Sequence, residues 1–297
     1  MKKTISLLLA VLLACASAPL AFAADTETNY LLLGDSITAG YGVSNRREAS
    51  YGRIVADTNG YNYTNLARTA TDSFELLDQL KNGVYYDEAL MTTRSVAECV
   101  AEADIISLSI GANDYFDAPN TVSLLVKALF GLNRRELDAI ADTLYGNFCE
   151  IIDFIRAENP DAVILAQTLY CVWYGFASSA NGAASKRINA MLEKYDAEHP
   201  GVIHICDIRP AMEHKPENLA DDCVHPNAAG NVAIARIVLA DLYELGLGAE
   251  TEPVVNVPGE DWNFWELSFD DEKTAVFVGA LVKIVTGNGA NVFRGRK

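Results

Sequence analysis

Five short apolar runs, each bounded by turn-forming residues, constrain the fold of this chain more than any other feature. They occupy residues 30–33, 61–65, 104–110, 162–168 and 202–206. The runs are close to continuous in apolar and β-branched residues and do not alternate with polar ones. This pattern is typical of parallel strands that are buried on both faces of a sheet.

Longer segments with apolar residues at helical spacing lie between these runs. They span residues 73–80, 134–158, 183–198 and 228–245. Because strands that alternate with helices form parallel sheets through right-handed crossovers, the pattern predicts an α/β fold. We expect a three-layer α/β/α sandwich with a mostly parallel five-stranded sheet of the flavodoxin-like kind.

The first 23 residues have the pattern of a secretory signal peptide. A basic Met1-Lys2-Lys3 start precedes an apolar stretch over residues 5–13, and Ala21-Phe22-Ala23 offers small residues at a cleavage site. The apolar stretch is too short to cross a membrane. The prediction is a secreted protein. A second interpretation stays open, because Leu12-Leu13-Ala14-Cys15 resembles a bacterial lipoprotein box with Cys15 as the lipidated residue.

Charge and cysteine content exclude several classes of protein. Lys and Arg number 23 against 40 Asp and Glu, a net charge of −17, which opposes binding to nucleic acid or anionic lipid. Five cysteines follow the leader, none of them in a Cys-x-x-Cys pair, which argues against zinc or redox chemistry. They are Cys99, Cys149, Cys171, Cys206 and Cys223. Cys206 and Cys223 could form a disulfide or remain as two buried thiols, and the sequence leaves both alternatives open.

Three short motifs follow predicted strands or precede a predicted helix. Gly34-Asp35-Ser36 follows the first strand, and Gly111-Ala112-Asn113-Asp114 follows the third. A serine at such a strand end can open onto the ligand crevice, and an asparagine amide there can donate to an oxyanion. In the third motif, an Asp222 carboxylate three residues before His225 can orient a histidine that acts as a base. Taken singly, each motif also fits a helix cap or a turn.

In combination and in this order, the motifs resemble those of the SGNH, or GDSL-type, hydrolase superfamily over roughly residues 30–245. The resemblance implies a serine esterase with Ser36 as nucleophile, His225 as base and Asp222 as the residue that orients His225. It also implies an oxyanion hole formed by the Ser36 N–H, the Asn113 amide and a main-chain N–H of a second block. No metal and no cofactor is required by such a mechanism.

One departure from the family pattern falls in that second block. Ala70 stands where the family usually has a glycine. Alanine keeps its N–H, so donation to the oxyanion survives if the backbone conformation does. If the position needs a positive φ, the added Cβ costs on the order of 1 kcal/mol.

The expected substrate is a carboxylic ester, and its acyl and alcohol groups stay open among acylated small molecules, lipids such as lysophospholipids, and O-acetylated polysaccharides. Apolar residues at 122–130 indicate a cap over the site. Aromatic residues after the fourth strand indicate a sugar platform, an acyl groove or ordinary packing; these are Tyr170, Trp173, Tyr174 and Phe176.

The organisation we expect is a signal peptide over 1–23, a hydrolase domain over 24–246 and a C-terminal extension over 247–297. Residues 250–260 lack periodicity and predict a linker, and residues 271–286 predict an apolar helix. The alternative function is a catalytically weakened binding module, attached to the cell envelope through this extension.

Overall fold

The computed structural model describes residues 27–116, 133–171 and 178–263, with the side chains of 178–181 left aside. Five strands in it form one parallel sheet in the order β2-β1-β5-β6-β7. The strands of this sheet are β1 (Asn29–Gly34), β2 (Asn62–Asn65), β5 (Ile105–Ser109), β6 (Val163–Gln167) and β7 (His204–Cys206). The predicted five-stranded α/β sandwich is confirmed.

The helices cover the sheet on both faces and connect its strands. The described helices are α1 (Arg46–Ala49), α2 (Tyr51–Asn59), α3 (Ser73–Asn82), α4 (Val96–Glu102), α5 (Ala112–Phe116), α6 (Arg134–Glu158), α7 (Ser178–Glu198), α8 (Arg209–Met212) and α9 (Ala228–Glu244), with a 3₁₀ turn at Pro216–Asn218. The four helices predicted from apolar spacing are all present; α6 has the predicted bounds, and the bounds of the other three differ by one to five residues.

The two faces of the sheet build two separate cores. Leu31 and Leu33 of β1 point to a core shared with α3, α4, α6 and α7. Tyr30 and Leu32 of the same strand point to a core shared with α2, α8 and α9. Successive side chains of a strand point to opposite faces, so a strand covered by helices on both faces needs apolar residues at consecutive positions. This is the physical origin of the continuous apolar runs.

Besides the short helices α1, α4, α5 and α8 and the 3₁₀ turn, two longer elements of the described chain were not predicted. One is helix α2, which Ser50 caps by accepting a hydrogen bond from Arg53 N and which ends at Gly60 with φ of 72°. The other is an antiparallel hairpin of β3 (Val84–Asp87) and β4 (Thr92–Ser95). The hairpin carries exposed side chains on its surface, with Val84 at 60% and Tyr86 at 55%, so it lacks the mostly buried run that marks β1, β5 and β6.

The segment predicted as a linker has no regular secondary structure, but it lies against the domain. Val254 N donates to Thr58 Oγ1 at 2.9 Å, and Asn45 Nδ2 donates to the Pro258 carbonyl at 2.9 Å. We call residues 249–263 the strap. The leader over 1–23, the predicted cap at 122–130 and the predicted helix at 271–286 lie outside the described residues. No helix in the described ranges is long and apolar enough to span a membrane.

Candidate active site

Ser36 lies just beyond the carboxyl end of β1, where the order of strands reverses between β1 and β5. Ligands of open α/β sheets bind in the crevice at such a point. Gly34 makes the approach of the two strand ends possible: its φ is 115°, and a Cβ there would lie 1.9 Å from the Ser109 carbonyl oxygen. The Asp35 N–H donates to that same carbonyl at 3.0 Å. The serine is therefore fixed to the end of the neighbouring strand.

A continuous series of hydrogen bonds links Ser36, His225 and Asp222. His225 Nε2 lies 2.8 Å from Ser36 Oγ, and His225 Nδ1 lies 2.6 Å from Asp222 Oδ2. The side chains of His225 and Asp222 are 17% and 8% exposed. The fold therefore brings together a serine and a histidine that are 189 residues apart in sequence.

The turn that carries Asp222 and His225 is held by its own hydrogen bonds. Asp222 Oδ1 accepts from the N–H groups of Val224 and His225 at 2.9 and 3.0 Å. Burial alone would raise the pKa of Asp222, but the hydrogen bond and charge of His225 outweigh it and lower the pKa below its ordinary value. Asp222 is thus kept as a carboxylate beside the imidazole.

The two further residues predicted for an oxyanion hole are connected through Thr71. Asn113 Nδ2 donates to the Thr71 carbonyl at 2.9 Å. The adjacent Ala70 is exposed and has φ of 63°, so the position does require the left-handed conformation. Arg68 N donates to the Gly34 carbonyl at 2.9 Å, which fixes the same loop beside the strand that carries Ser36.

Asp35 is a buried acid next to Ser36 that the sequence reasoning did not single out. Its Oδ1 accepts from Ile37 N at 3.0 Å and from Ser109 Oγ at 2.6 Å. Burial raises the pKa of Asp35 to about 6, although both hydrogen bonds oppose the change. A signal was present in the sequence, because the acid lies inside the Gly34-Asp35-Ser36 motif.

Two aromatic residues at the site were also missed. The ring of Tyr41 lies edge-on to His225, with centroids 4.6 Å apart, and the ring of Trp262 lies edge-on to Tyr41 at 4.5 Å. Burial and the Asp222 carboxylate raise the pKa of Tyr41. Trp262 lies in the C-terminal extension close to Phe264 and Trp265 in sequence, but nothing local in the sequence places it near His225.

Other residues considered in the sequence have structural surroundings. None of the five cysteines of the described chain forms a disulfide, and Cys206 and Cys223 are buried, so the bridge between these two is absent. Tyr170 is buried, and its hydroxyl donates at 3.0 Å to the carbonyl of Val224, which lies in the turn between Asp222 and His225. Trp173, Tyr174 and Phe176 lie outside the described residues.

A hydroxyl, an imidazole and a carboxylate in series at the carboxyl edge of a parallel sheet form the arrangement that nucleophilic hydrolases use. The family model of the GDSL-like lipases and acylhydrolases matches residues 32–233. The chain belongs to this family, which places it among the carboxylic ester hydrolases.

Three solved structures with the same fold carry names that state different functions. The lipase Lip_vut3 from a goat rumen metagenome is 20% identical, with a TM-score of 0.54 over 72% of this chain and 96% of that chain. Phospholipase A1 from Streptomyces albidoflavus is 17% identical, with a TM-score of 0.52 over 72% and 99%. A family two carbohydrate esterase from Clostridium thermocellum is 13% identical, with a TM-score of 0.50 over 74% and 65%. At these identities the likeness shows a shared fold. A search of curated proteins gave no match.

Proposed function

We propose that this chain is a secreted serine esterase that works through an acyl-enzyme on Ser36. The observation that carries the proposal is the pair of short contacts on His225, 2.8 Å to Ser36 Oγ and 2.6 Å to Asp222 Oδ2. Because Nδ1 faces a carboxylate, it holds the proton in the neutral ring, and Nε2 is left to accept the proton of the serine hydroxyl. The geometry thus prepares Ser36 for nucleophilic attack.

The proposed reaction has two halves. Ser36 Oγ attacks the ester carbonyl carbon while its proton passes to His225 Nε2, and the resulting imidazolium is stabilised by Asp222. His225 then gives that proton to the departing alkoxide, and an ester on Ser36 remains. Water attacks this ester with His225 again acting as base, and the acid is released as Ser36 recovers its proton.

The oxyanion of each tetrahedral intermediate requires hydrogen-bond donors. We assign these to the Ser36 N–H, the Ala70 N–H and the Asn113 side-chain amide. The amide carries two hydrogens. One is donated to the Thr71 carbonyl, which fixes the side chain so that the other can serve the oxyanion. A donor fixed before the reaction stabilises the transition state without the cost of reorganisation.

The acyl and alcohol groups are proposed at the level of class. The candidates are acylated small molecules, lipids and O-acetylated polysaccharides, and the structural neighbours include enzymes named for lipids and for carbohydrates. Secretion is proposed from the leader over 1–23, with lipidation of Cys15 as the alternative. The domain division into 24–246 and 247–297 is retained as part of this proposal, with the family match inside the first part.

The test is hydrolysis of p-nitrophenyl esters from acetyl to decanoyl by the mature protein and by Ser36→Ala. We expect the substitution to abolish activity, and the acyl-length profile to separate an acetyl pocket from a fatty-acyl one. Ser95, which caps α4 through its hydroxyl, provides the matched control: Ser95→Ala should keep the wild-type rate. A fluorophosphonate should label the wild type and Ser95→Ala, and it should leave Ser36→Ala unlabelled.

The competing candidate is a binding module that has kept the fold and lost the chemistry. The observation in its favour is the φ of 63° at Ala70, where a Cβ is unfavourable. Equal and negligible rates for the wild type and Ser36→Ala on every ester, with no fluorophosphonate labelling, would support the binding module over the esterase.

A further inference from the structure

The strap lies beyond the part of the chain that the family model matches, yet its end reaches the catalytic turn. We propose that the strap is part of the catalytic unit, with Trp262 as a positioning residue that holds Tyr41 against the imidazole of His225. This inference rests on the proposed function, since it concerns the residue assigned there as the base.

The first argument is a series of two edge-on contacts, between the rings of His225 and Tyr41 and between those of Tyr41 and Trp262. His225 is fixed in its plane by hydrogen bonds at both nitrogens. Rotation out of that plane is resisted by Tyr41, whose ring meets it edge-on at an interplanar angle of 68°. Tyr41 in turn meets Trp262 at 61°. Because such edge contacts stabilise by only about 0.5–1.5 kcal/mol each, Tyr41 needs a second contact, such as that with Trp262, to stay in place.

The second argument is the main chain around Tyr41. Trp262 N donates to the Gly42 carbonyl at 3.1 Å, and Val43 forms an antiparallel bridge with Asp261. Gly42 has φ of 115°, and a Cβ there would lie 2.2 Å from the Pro226 carbonyl oxygen and 3.2 Å from His225 Cβ. The loop that the strap holds is therefore in direct contact with the catalytic histidine and its neighbour.

The third argument is the start of the helix that follows His225. The first N–H groups of a helix have no partner within it, and a negative charge near them is favourable. Asp261 Oδ1 accepts from Ala228 N at 2.8 Å, while Asn227 accepts from Gly230 N at 2.9 Å. The strap thus shares the capping of α9 and fixes the chain immediately after the catalytic turn.

The test compares kcat and KM for a short-chain p-nitrophenyl ester in full-length variants. Trp262→Ala should lower kcat by about 10-fold while KM stays within twofold, because a displaced base affects the chemical step more than binding. Trp262→Phe keeps an aromatic edge for Tyr41 and should recover most of the rate. Trp262→Leu, which keeps an apolar side chain without that edge, should keep the melting temperature and lose the rate.

The matched control lies on the same strap. Asn256 Nδ2 donates to Asp57 Oδ2 at 3.1 Å, so its side chain serves the contact with α2. Asn256→Ala should keep the wild-type kcat. This result would show that the rate depends on the ring contacts of Trp262 and not on every contact that attaches the strap.

The results distinguish this inference from the proposed function. A wild-type kcat in Trp262→Ala and Trp262→Leu, with Ser36→Ala inactive, overturns the positioning role and leaves the serine mechanism intact. Parallel loss of kcat and of melting temperature that Trp262→Phe does not restore also overturns it, since the tryptophan would then serve folding alone. Activity retained in Ser36→Ala removes the proposed function itself.

Discussion

Asp35 and Ile37, the two residues that flank Ser36, are joined by a hydrogen bond of 3.0 Å from the Ile37 N–H to Asp35 Oδ1. The carboxyl group that closes this bridge is only 2% exposed, and its pKa is raised to about 6 by burial. Asp35, the residue that precedes the proposed nucleophile, therefore ionises in a pH range where the enzyme can be studied.

The Asp35→Asn substitution should stabilise the protein at neutral pH and have little effect near pH 4. An acid whose pKa is higher in the folded than in the unfolded chain binds more protons when folded, so its contribution to stability falls as pH rises between the two pKa values. From an ordinary value of 3.8 to about 6, that contribution is lost progressively. It amounts to about 3 kcal/mol by pH 7.5.

Urea unfolding of wild type and Asp35→Asn at pH 4.5 and 7.5 measures this effect. The lowered pKa of Asp222 gives a contribution of opposite sign, present above its unfolded pKa and lost in acid, but it is common to both proteins and cancels in the difference. A difference in unfolding free energy that does not change with pH would contradict the assignment of a raised pKa to Asp35.

The left-handed conformation of Ala70 predicts a gain from glycine at this position. Ala70→Gly removes a Cβ at φ of 63° and should raise the free energy of unfolding by up to about 1 kcal/mol, with kcat within threefold of wild type. Ala139 is the control, since it is exposed within the long helix α6. Ala139→Gly should lower stability by about 1 kcal/mol. Equal losses in the two variants would show that Ala70 carries no strain.

Loss of the Asn113 amide should reduce catalysis far more than folding. Asn113→Ala removes a proposed oxyanion donor, so we expect kcat to fall by about 10²–10³ with KM little changed. Asn147 is the comparison, because its amide donates to Ser73 Oγ at 2.8 Å and is not among the assigned oxyanion donors. Asn147→Ala should keep kcat within a few-fold. Steady-state kinetics decides the matter, and equal rates in the two variants would remove Asn113 from the oxyanion hole.

Because Gly42 lies against His225 and Pro226, replacing it with alanine should be far more damaging than replacing a glycine that has open space around it. Gly42→Ala places a Cβ 2.2 Å from the Pro226 oxygen at φ of 115°, so we expect a loss of about 3 kcal/mol or more together with a fall in kcat. Gly60 has φ of 72° with no atom within 4 Å of the added Cβ. Gly60→Ala should cost about 1 kcal/mol and leave kcat unchanged. Thermal melts and rates of the two variants provide the check.

The strands and long helices were predictable because their signals are local. Residues 105–109 are all buried, and Ile105, Ile106 and Leu108 among them are apolar, so the strand is visible in the local sequence. Helix α6 was predicted with its observed bounds, since its apolar residues repeat over 25 residues. The β3–β4 hairpin carries no such signal, because hydrogen bonds between exposed strands rather than burial define it.

The hydrogen-bonded series of Ser36, His225 and Asp222 could be predicted for a different reason. Ser36, Asp222 and His225 each lie in a short motif, and the order of the motifs along the chain adds information that a single motif lacks. Tyr41 and Trp262 lie in no such motif, and their contact arises only when the strap packs beside the loop that follows Ser36. Asp35 was visible as a residue, but its raised pKa depends on burial by the whole fold.

The strap also bears on how the protein is made. Its bonds to residues 44 and 45 join positions up to 216 apart in sequence. The loop that follows Ser36 is made early, and the chain between Ser44 and Glu260 must be synthesised before the strap can reach it. Termination after residue 233 and before residue 258 would release a product that contains the whole family-matched region yet lacks Trp262, the residue that contacts Tyr41.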